Sequence, residues 1–298
     1  QMDKEQRDYL VHTIRVLTKT DPMEREITLR DIINDVKDLF GIEYEFDLIK
    51  ERNVLNFDIR IIGREKEINR ILEIDKNLVT HTDFKRAVLV NGDLGVGKTR
   101  FLNEISYQLR MRGRKVYYLE INQSVQHGLK AATNILRQTI KDAPVYILNK
   151  YGRELVKVLP ELKYIVNNDV IYDMGEDRNR LRLFDRITNY LEELTKDKLT
   201  YIILDNIDDG SVEFLHLFNF ILKNMEESNL VLIASYNEKR IPIGTLKERI
   251  FNDLLSDKLV ESIKISNLSL TEIGEFIQSV LGMNYKPLMF SAVVLRES

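Results

Sequence analysis

A chain of 298 residues is long enough to bury one large hydrophobic core or two smaller ones. Its 44 Lys and Arg residues against 47 Asp and Glu give a formal charge of −3, which argues against a protein that coats nucleic acid. The absence of cysteine excludes disulfides, thiolate zinc sites and cysteine nucleophiles. No apolar run reaches the roughly 18 residues of a membrane span, and no secretory signal is visible, so we expect a cytoplasmic protein with no membrane partner. Since the chain starts at Gln1 and stops in the apolar stretch Tyr285–Leu295, we expect it to be cut from a longer polypeptide.

Residues 1–41 predict a helical hairpin, because apolar residues recur at helical spacing on both sides of a break at Asp21–Pro22. Residues 17–33, LTKTDPMEREITLRDII, resemble the last two helices of a protein-kinase C-lobe, with its DP-x-x-R turn. The kinase H-R-D, D-F-G and glycine-rich signatures are absent from the sequence, so this resemblance implies a kinase domain upstream of it. The alternative is a hairpin that packs on the domain that follows. Residues 42–60 are polar and irregular and predict a linker.

The most specific motif of the chain is AVLVNGDLGVGKT, residues 87–99. A short apolar strand precedes G-x-x-x-x-G-K-[ST], and apolar residues at helical spacing follow it, which is the setting of a phosphate loop. In such a loop the glycines let successive N–H groups converge on phosphates, and the next helix adds its positive N-terminus. We expect Lys98 to face the β- and γ-phosphates and the Thr99 hydroxyl to reach Mg²⁺. The pattern predicts a nucleoside triphosphate or diphosphate, with a surface glycine-rich turn as the alternative. The predicted phosphate-binding residues are Gly92, Asp93, Leu94, Gly95, Val96, Gly97, Lys98, Thr99 and Arg100.

The segment after this motif predicts a strand and a set of helices. Residues 115–121, KVYYLEI, are rich in β-branched and aromatic residues and predict the second strand. Residues 122–196 predict mostly helices, with a polar loop over 167–180, and they carry no catalytic signature that we can identify.

The second informative stretch is TYIILDNIDDGS, residues 200–211. Its apolar residues predict a buried strand that delivers Asp205 at the carboxyl end, where ligands bind in parallel α/β sheets. A carboxylate there can hold Mg²⁺ through its water shell, which is the Walker B role. The next residue, Asn206, can hydrogen-bond a water but cannot take its proton, so we expect slow hydrolysis. Two alternatives stay open for Asp208 and Asp209: one of them folds back and substitutes as the base, or the pair is a solvated turn.

The remaining elements complete an α/β pattern. A fourth strand is predicted over 230–234, LVLIA, a fifth over 263–265, and a final helix over 272–281. The alternation of strands and helices predicts a parallel five-stranded sheet between helices.

Four stretches taken together, residues 61–68, 92–99, 201–211 and 230–237, resemble the ATPase module of AAA+ proteins. Within that class they are most similar to STAND proteins, the signal-transduction ATPases with numerous domains. The resemblance implies a P-loop NTPase (AAA+/STAND-like) fold, with ATP or ADP and Mg²⁺ as cofactors. The domains that it implies are a helical hairpin (1–41), a linker (42–60), a P-loop ATPase core (61–265) and the start of a truncated helical lid (266–298).

The resemblance also assigns roles to residues outside the phosphate loop. The sequence IIGREKEI, residues 61–68, matches a motif that borders the adenine site in those families, whereas taken alone it is compatible with a solvated helix face. Asn237 takes the place of a polar sensor that reaches toward the γ-phosphate, although STAND proteins usually have Arg at about that position. Arg240 and Arg249 are candidates for sensing charge, with plain surface positions as the alternative. The residues expected at the adenine are Ile62, Gly63 and Arg64.

STAND modules act as nucleotide-controlled switches inside larger bacterial signalling proteins. The resemblance therefore implies other domains of a longer polypeptide as partners, together with nucleotide-dependent self-association. One alternative is an AAA+ ATPase that acts on nucleic acid, of origin-recognition or transposition type, but neither a basic stripe nor a winged-helix module is visible. Another is a P-loop kinase or GTPase. Guanine recognition needs N-K-x-D, and the nearest string, Asn149–Gly152, lacks the Asp.

Overall fold

The computed structural model describes residues 9, 11, 13, 60–80, 85–122, 128–164, 176–225, 228–282 and 285–297. Residues 9, 11 and 13 are helical. The rest of the predicted hairpin, and the predicted linker apart from residue 60, lie outside the described residues. Arg60–Glu275 and Leu288–Ser298 belong to one compact unit, which holds the phosphate loop, and Phe276–Pro287 are assigned to a second unit.

A five-stranded, all-parallel sheet forms the centre of the first unit, with the strand order β2-β3-β4-β1-β5. The strands are β1 (Ala87–Asn91), β2 (Lys115–Glu120), β3 (Thr200–Asp205), β4 (Leu230–Tyr236) and β5 (Val260–Lys264). Every residue of β3 and β4 is buried, because helices cover both faces of the sheet. This burial explains why both strands stand out in the sequence as continuous apolar runs. The predicted α/β fold with a parallel five-stranded sheet is confirmed.

Nine α-helices are present in the described part of the chain. They are α1 (Glu65–Val79), α2 (Lys98–Met111), α3 (Lys130–Ile140), α4 (Val145–Leu155), α5 (Glu176–Thr195), α6 (Val212–Asn224), α7 (Leu246–Leu255), α8 (Leu270–Leu281) and α9 (Leu288–Glu297). The prediction of a loop over 167–180 is wrong for residues 176–180, which form the first turn of α5. The sequence of that turn, EDRNR, has no apolar residue to mark helical periodicity. None of the helices in the described ranges is long and apolar enough to cross a membrane.

The hydrophobic core lies in two layers, one on each face of the sheet. Helices α3 to α7 cover one face and α1 and α2 cover the other. A buried ion pair fixes α1, which begins directly after Arg64. Asp75, in that helix, is 1% exposed and accepts hydrogen bonds from Arg114 (2.7 and 3.1 Å) and from the Tyr201 hydroxyl (2.8 Å). These bonds anchor the start of the Arg60–Glu275 segment beside β3.

The parallel register brings the carboxyl ends of three strands to one edge of the sheet. Val90 pairs with Ser235 across β1 and β4, and Leu204 pairs with Ala234 across β3 and β4. Asp205 therefore ends β3 next to Ser235. The polar residues that end these buried strands meet at this edge, beside the phosphate loop that leaves β1.

Candidate functional site

The phosphate loop connects β1 to α2 and depends on glycine for two different reasons. Gly95 and Gly97 have φ angles of 80° and 95°, a left-handed conformation that other residues rarely adopt. Gly92 is needed for space instead, because a Cβ there would lie 2.8 Å from the Val96 side chain and 3.0 Å from the Ile265 carbonyl oxygen. The loop therefore combines a tight turn with a close approach of the chain that follows β5.

Lys98 is the first residue of α2, and its ammonium group lies over the loop. The Nζ atom donates hydrogen bonds to the carbonyl oxygens of Gly92 (2.7 Å) and Asp93 (2.9 Å), and the residue is 8% exposed. Burial lowers the pKa of the Lys98 ammonium, whereas the negative charges of Asp208 and then Asp205 raise it. The Lys98 ammonium is therefore a buried positive charge that interacts with the negative charges of Asp208 and Asp205.

Asp205 is fully buried at the end of β3, and its carboxylate accepts hydrogen bonds from three hydroxyls. The Oδ2 atom accepts from Thr99 Oγ1 at 2.6 Å and from the Tyr118 hydroxyl at 3.3 Å, while Oδ1 accepts from Ser235 Oγ. Thr99 and Asp205, which are 106 residues apart in sequence, therefore lie together at this edge of the sheet. A hydroxyl and a carboxylate are hard oxygen donors, so this pair fits Mg²⁺, which binds few protein ligands and keeps several waters. No cluster of three or more His, Asp or Glu in the described ranges offers a denser metal site.

The turn after β3 has an unusual backbone. Asn206 has φ 61° and ψ 54°, and it is the one residue other than glycine with a positive φ in the described part of the chain. Its N–H donates to Ser235 Oγ at 2.8 Å. The turn folds Asp208 back into the protein, where it is 6% exposed and accepts a hydrogen bond from the Asn237 N–H at 3.3 Å. Of the two alternatives left open by the sequence, the solvated turn is wrong for Asp208.

Burial and the charge of Arg240 act in opposite directions on the carboxyl group of Asp208. Burial raises its pKa, and the guanidinium of Arg240, with Nη1 at 3.3 Å from Oδ2, opposes that rise. Arg240 also binds both carboxylate oxygens of Asp209, at 3.2 and 2.5 Å. Arg249, the other candidate for sensing charge, is exposed on α7 and makes no side-chain ion pair within the described ranges. The structure thus brings Arg240, and not Arg249, to the acidic turn.

Asn237, the predicted sensor, is 6% exposed and follows β4 directly. Its side-chain oxygen accepts from the Lys239 N–H at 3.0 Å and so caps the 3₁₀ turn Glu238–Arg240. Two residues of that turn, Glu238 and Lys239, contact the end of β1 and the start of the phosphate loop. Glu238 is hydrogen-bonded to Asn91, and Lys239 forms an ion pair with Asp93 at 2.8 Å.

The residues predicted to lie at the adenine, Ile62, Gly63 and Arg64, directly precede α1. Arg64 is 6% exposed and donates to the carbonyl oxygens of Val96 (3.3 Å) and Ser266 (2.5 Å), so it joins the phosphate loop to the segment after β5. Ile62 and Gly63 precede it and are half-buried. Of the remaining predicted loop residues, the side chains of Leu94 and Arg100 are exposed.

Gly63 is closely packed against the first turn of α8. Its φ angle is 70°, and a Cβ on it would lie 2.5 Å from the Glu272 carboxylate. That carboxylate accepts from the Ser269 N–H at 2.6 Å in the helix cap. Because the Glu272 side chain is flexible, the positive φ is the stronger reason for glycine at this position.

Sequence reasoning missed two hydroxyls of the site, those of Tyr118 and Ser235. Tyr118 lies in the middle of β2, and it reaches Asp205 because β2 and β3 are neighbours in the sheet, with Tyr118 paired to Ile203. No local motif marks Tyr118, whereas Ser235 lies in the stretch 230–237 that resembles the sensor segment, although the sensor was assigned to Asn237. The strand order is the signal that would have pointed to them.

A comparison with family models matches residues 60–233, more than half of the chain, to the AAA ATPase domain. The search of curated proteins found no match. Among solved structures, a chain of the HORMA:CdnC:Trip13 complex of E. coli MS115-1 is 12% identical with a TM-score of 0.43, covering 78% of this chain and 73% of that one. The ORC2 protein of Aeropyrum pernix, solved as ADPNP-ADP complexes, is 13% identical with a TM-score of 0.40. That match covers 78% of this chain and 54% of the ORC2 chain. The family match, together with the parallel sheet and its phosphate loop, shows that this chain belongs to the AAA ATPase domain family.

Proposed function

We propose that this chain is an ATP/ADP-binding regulatory switch of the STAND type, part of a larger bacterial signalling protein, with slow Mg²⁺-dependent ATP hydrolysis. The observation that carries the proposal is the hydrogen bond between Thr99 and Asp205 beside the phosphate loop. The residue directly after Asp205 is an amide, Asn206, where a second acid is common in STAND proteins. Thr99 and Asp205 together would hold Mg²⁺, and the Asn206 amide cannot act as a general base.

In the proposed complex the phosphates bind the N–H groups of Gly92–Gly97, the N-terminus of α2 and the Lys98 ammonium. Mg²⁺ would be held by Thr99 and, through water, by Asp205, and when bound it neutralises charge on the β- and γ-phosphates. The adenine would lie near Ile62–Arg64. The position of Arg64 against the Val96 carbonyl supports that assignment, because it places this motif at the loop.

The chemistry proposed for hydrolysis follows from the turn after β3. The Asn206 amide can orient an attacking water but cannot take its proton. Asp208 is the acid that can, because the turn buries it, its charge acts on Lys98, and burial raises its pKa. Arg240 holds the same carboxyl group by an ion pair, so the base is partly neutralised and turnover is slow.

Arg240 is the proposed reader of the γ-phosphate. Its guanidinium lies 3.3 Å from the buried Asp208 carboxylate, and its charge lowers the pKa of Lys98, the cation proposed to face the phosphates. A γ-phosphate can compete with the carboxylates for the guanidinium, because arginine binds both groups in the same bidentate geometry. We expect Arg240→Ala to reduce the preference for ATP over ADP by about tenfold, while Arg249→Ala leaves it unchanged. Equal loss in both variants would remove this role.

The experiment that tests the binding proposal compares wild type with Lys98→Ala by calorimetric titration of ATP, ADP and GTP with Mg²⁺. We expect ATP to bind more tightly than GTP, and Lys98→Ala to weaken ATP by at least about tenfold, since a charge-assisted contact is lost. Lys223→Ala, which removes an exposed lysine on α6, is the matched control. Unchanged ATP affinity in Lys98→Ala would contradict the proposal.

The flanking segments keep the roles that the sequence suggested. We propose that residues 1–41 derive from a kinase domain, that residues 42–60 link it to the ATPase core at 61–265, and that residues 266–298 begin a lid. Partner domains and nucleotide-dependent self-association belong to the same proposal. Retention of the polypeptide on immobilised ATP but not on duplex DNA would favour the switch over the nucleic-acid alternative.

A further inference from the structure

Ser235 lies at the meeting point of β4 with the ends of β1 and β3. It is fully buried, and the register places it beside Val90 on one side and next to Asp205 on the other. Its hydroxyl contacts both the Asp205 carboxylate and the Asn206 N–H. A single side chain therefore touches the two consecutive residues to which the cation and the attacking water are assigned above.

The chemistry of the two partners fixes the direction of both hydrogen bonds. A backbone N–H can only donate, so Ser235 Oγ accepts from Asn206 at 2.8 Å. An ionised carboxylate can only accept, so the Ser235 proton is directed at Asp205 Oδ1. The hydroxyl has one proton and one orientation that satisfies both partners, and it cannot rotate without breaking a bond in a buried site.

The carboxylate of Asp205 is held from two sides. Thr99 and Tyr118 both donate to Oδ2, and Ser235 donates to Oδ1. Without Ser235 the remaining bonds all end on one oxygen, so the plane of the carboxylate is no longer fixed. The Asn206 turn would lose its anchor through the same change.

We propose that Ser235 is a positioning residue that orients the Asp205 carboxylate for a divalent cation and anchors the left-handed turn at Asn206. This inference rests on the proposed nucleotide and Mg²⁺ site. Asn237, two residues further on, does not make this contact, because its side-chain oxygen is bonded to the N–H of Lys239. The contact between β4 and Asp205 is therefore made by Ser235, inside the strand, and not by the predicted sensor Asn237.

The chain offers a closely matched control in Ser228, two residues before the start of β4. Ser228 is also buried, accepts from a backbone N–H (Leu230, 3.2 Å) and donates to an oxygen (the Met225 carbonyl, 3.0 Å). It differs in that its acceptor is a neutral carbonyl rather than the Asp205 carboxylate. A Ser→Ala change at either position removes the same atoms and the same number of bonds.

The test measures the affinity for a fluorescent ATP analogue in EDTA and across a Mg²⁺ titration, for wild type, Ser235→Ala and Ser228→Ala. We expect Ser235→Ala to raise the half-saturating Mg²⁺ concentration by about tenfold, the effect of losing one hydrogen bond to a charged group. Its affinity in EDTA should stay within about twofold of wild type, because the phosphate loop is untouched. Ser228→Ala should shift neither quantity, and Ser235→Thr, which keeps the hydroxyl, should restore the Mg²⁺ dependence.

Two results for Ser235→Ala would overturn the inference: a Mg²⁺ dependence equal to that of wild type, or an equal loss of affinity with and without Mg²⁺. If Ser235→Ala does not fold, Ser235→Cys against Ser235→Thr makes the same comparison, since a thiol is a weak donor of similar size. Failure of the proposed function itself is seen separately, as a wild-type protein whose nucleotide affinity does not respond to Mg²⁺ at all.

Discussion

Asn206 occupies a backbone conformation that few residues accept, and this makes its replacement a sharp test of the site. Its φ and ψ of 61° and 54° lie close to the ideal left-handed values. For an L-residue without the short polar side chain of Asn, that conformation costs about 1–2 kcal/mol. We therefore expect Asn206→Glu to lower the free energy of unfolding by about 1 kcal/mol, and Asn206→Gly to leave it nearly unchanged.

The same substitution places a carboxylate directly after Asp205, where the proposed site has an amide. A general base typically contributes about 10²–10⁴-fold to a rate, so Asn206→Glu should accelerate phosphate release even though it weakens the fold. Asn206→Gly keeps the turn but removes the amide, and it should be no faster than wild type. A variant that is less stable but releases phosphate faster separates the chemical effect of the new carboxylate from its effect on the fold.

The assay combines thermal unfolding with steady-state phosphate release. A loss of about 1 kcal/mol corresponds to a fall in Tm of about 2–4 °C for a chain of this size class. If Asn206→Glu is as stable as Asn206→Gly, the turn does not impose the backbone cost on which this reasoning depends. Brisk wild-type hydrolysis that survives replacement of Asp208 by Ala would contradict the account of a site short of a base.

Three further outcomes are expected. Tyr118→Phe removes a long hydrogen bond of 3.3 Å to the Asp205 carboxylate and should shift the half-saturating Mg²⁺ concentration by less than about threefold, while the adjacent Tyr117→Phe should not shift it. Because burial raises the pKa of Asp208, phosphate release should fall as the pH drops through that raised pKa, and Asp208→Asn should be slow and independent of pH. For stability the sign is opposite, since the favourable contribution of the protonated Asp208 is lost as the pH rises through the same pKa. Gly63→Ala places a Cβ 2.5 Å from the Glu272 carboxylate at a positive φ, and it should lower the Tm and weaken nucleotide binding together.

Features that depend on neighbouring residues in the chain could be predicted from the sequence. The phosphate loop is contiguous, and its glycines adopt the turn that the pattern requires. The buried strands are apolar throughout because both of their faces are covered. The contact between Thr99 and Asp205 was also predictable, although 106 residues separate them, because parallel strands end at a common edge.

Features that depend on the order of the strands and on a single backbone angle could not be predicted. Tyr118 reaches Asp205 only because β2 lies beside β3, and nothing in KVYYLEI indicates which strand is its neighbour. Asp208 is buried because Asn206 is left-handed, and two acids in sequence otherwise favour a solvated turn. The first turn of α5 was missed because its residues are all polar.

The 3₁₀ turn Glu238–Arg240 connects two parts of the site with links of unequal strength. Toward the phosphate loop, Lys239 pairs with Asp93, and both side chains are more than half exposed, so solvent screens the interaction. Toward the turn after β3, Arg240 pairs with Asp208, whose side chain is 1% exposed whereas that of Arg240 is 41% exposed, so this pair is partly screened, but less than the pair of Lys239 with Asp93. Glu238 adds two hydrogen bonds to Asn91, so the turn is tied to both sides, and its ion pair with Asp208 is less screened than its ion pair with Asp93. A change in the charge facing Asp208 should therefore act more strongly on Arg240 than on Lys239, and this difference fits the γ-phosphate sensor proposed above.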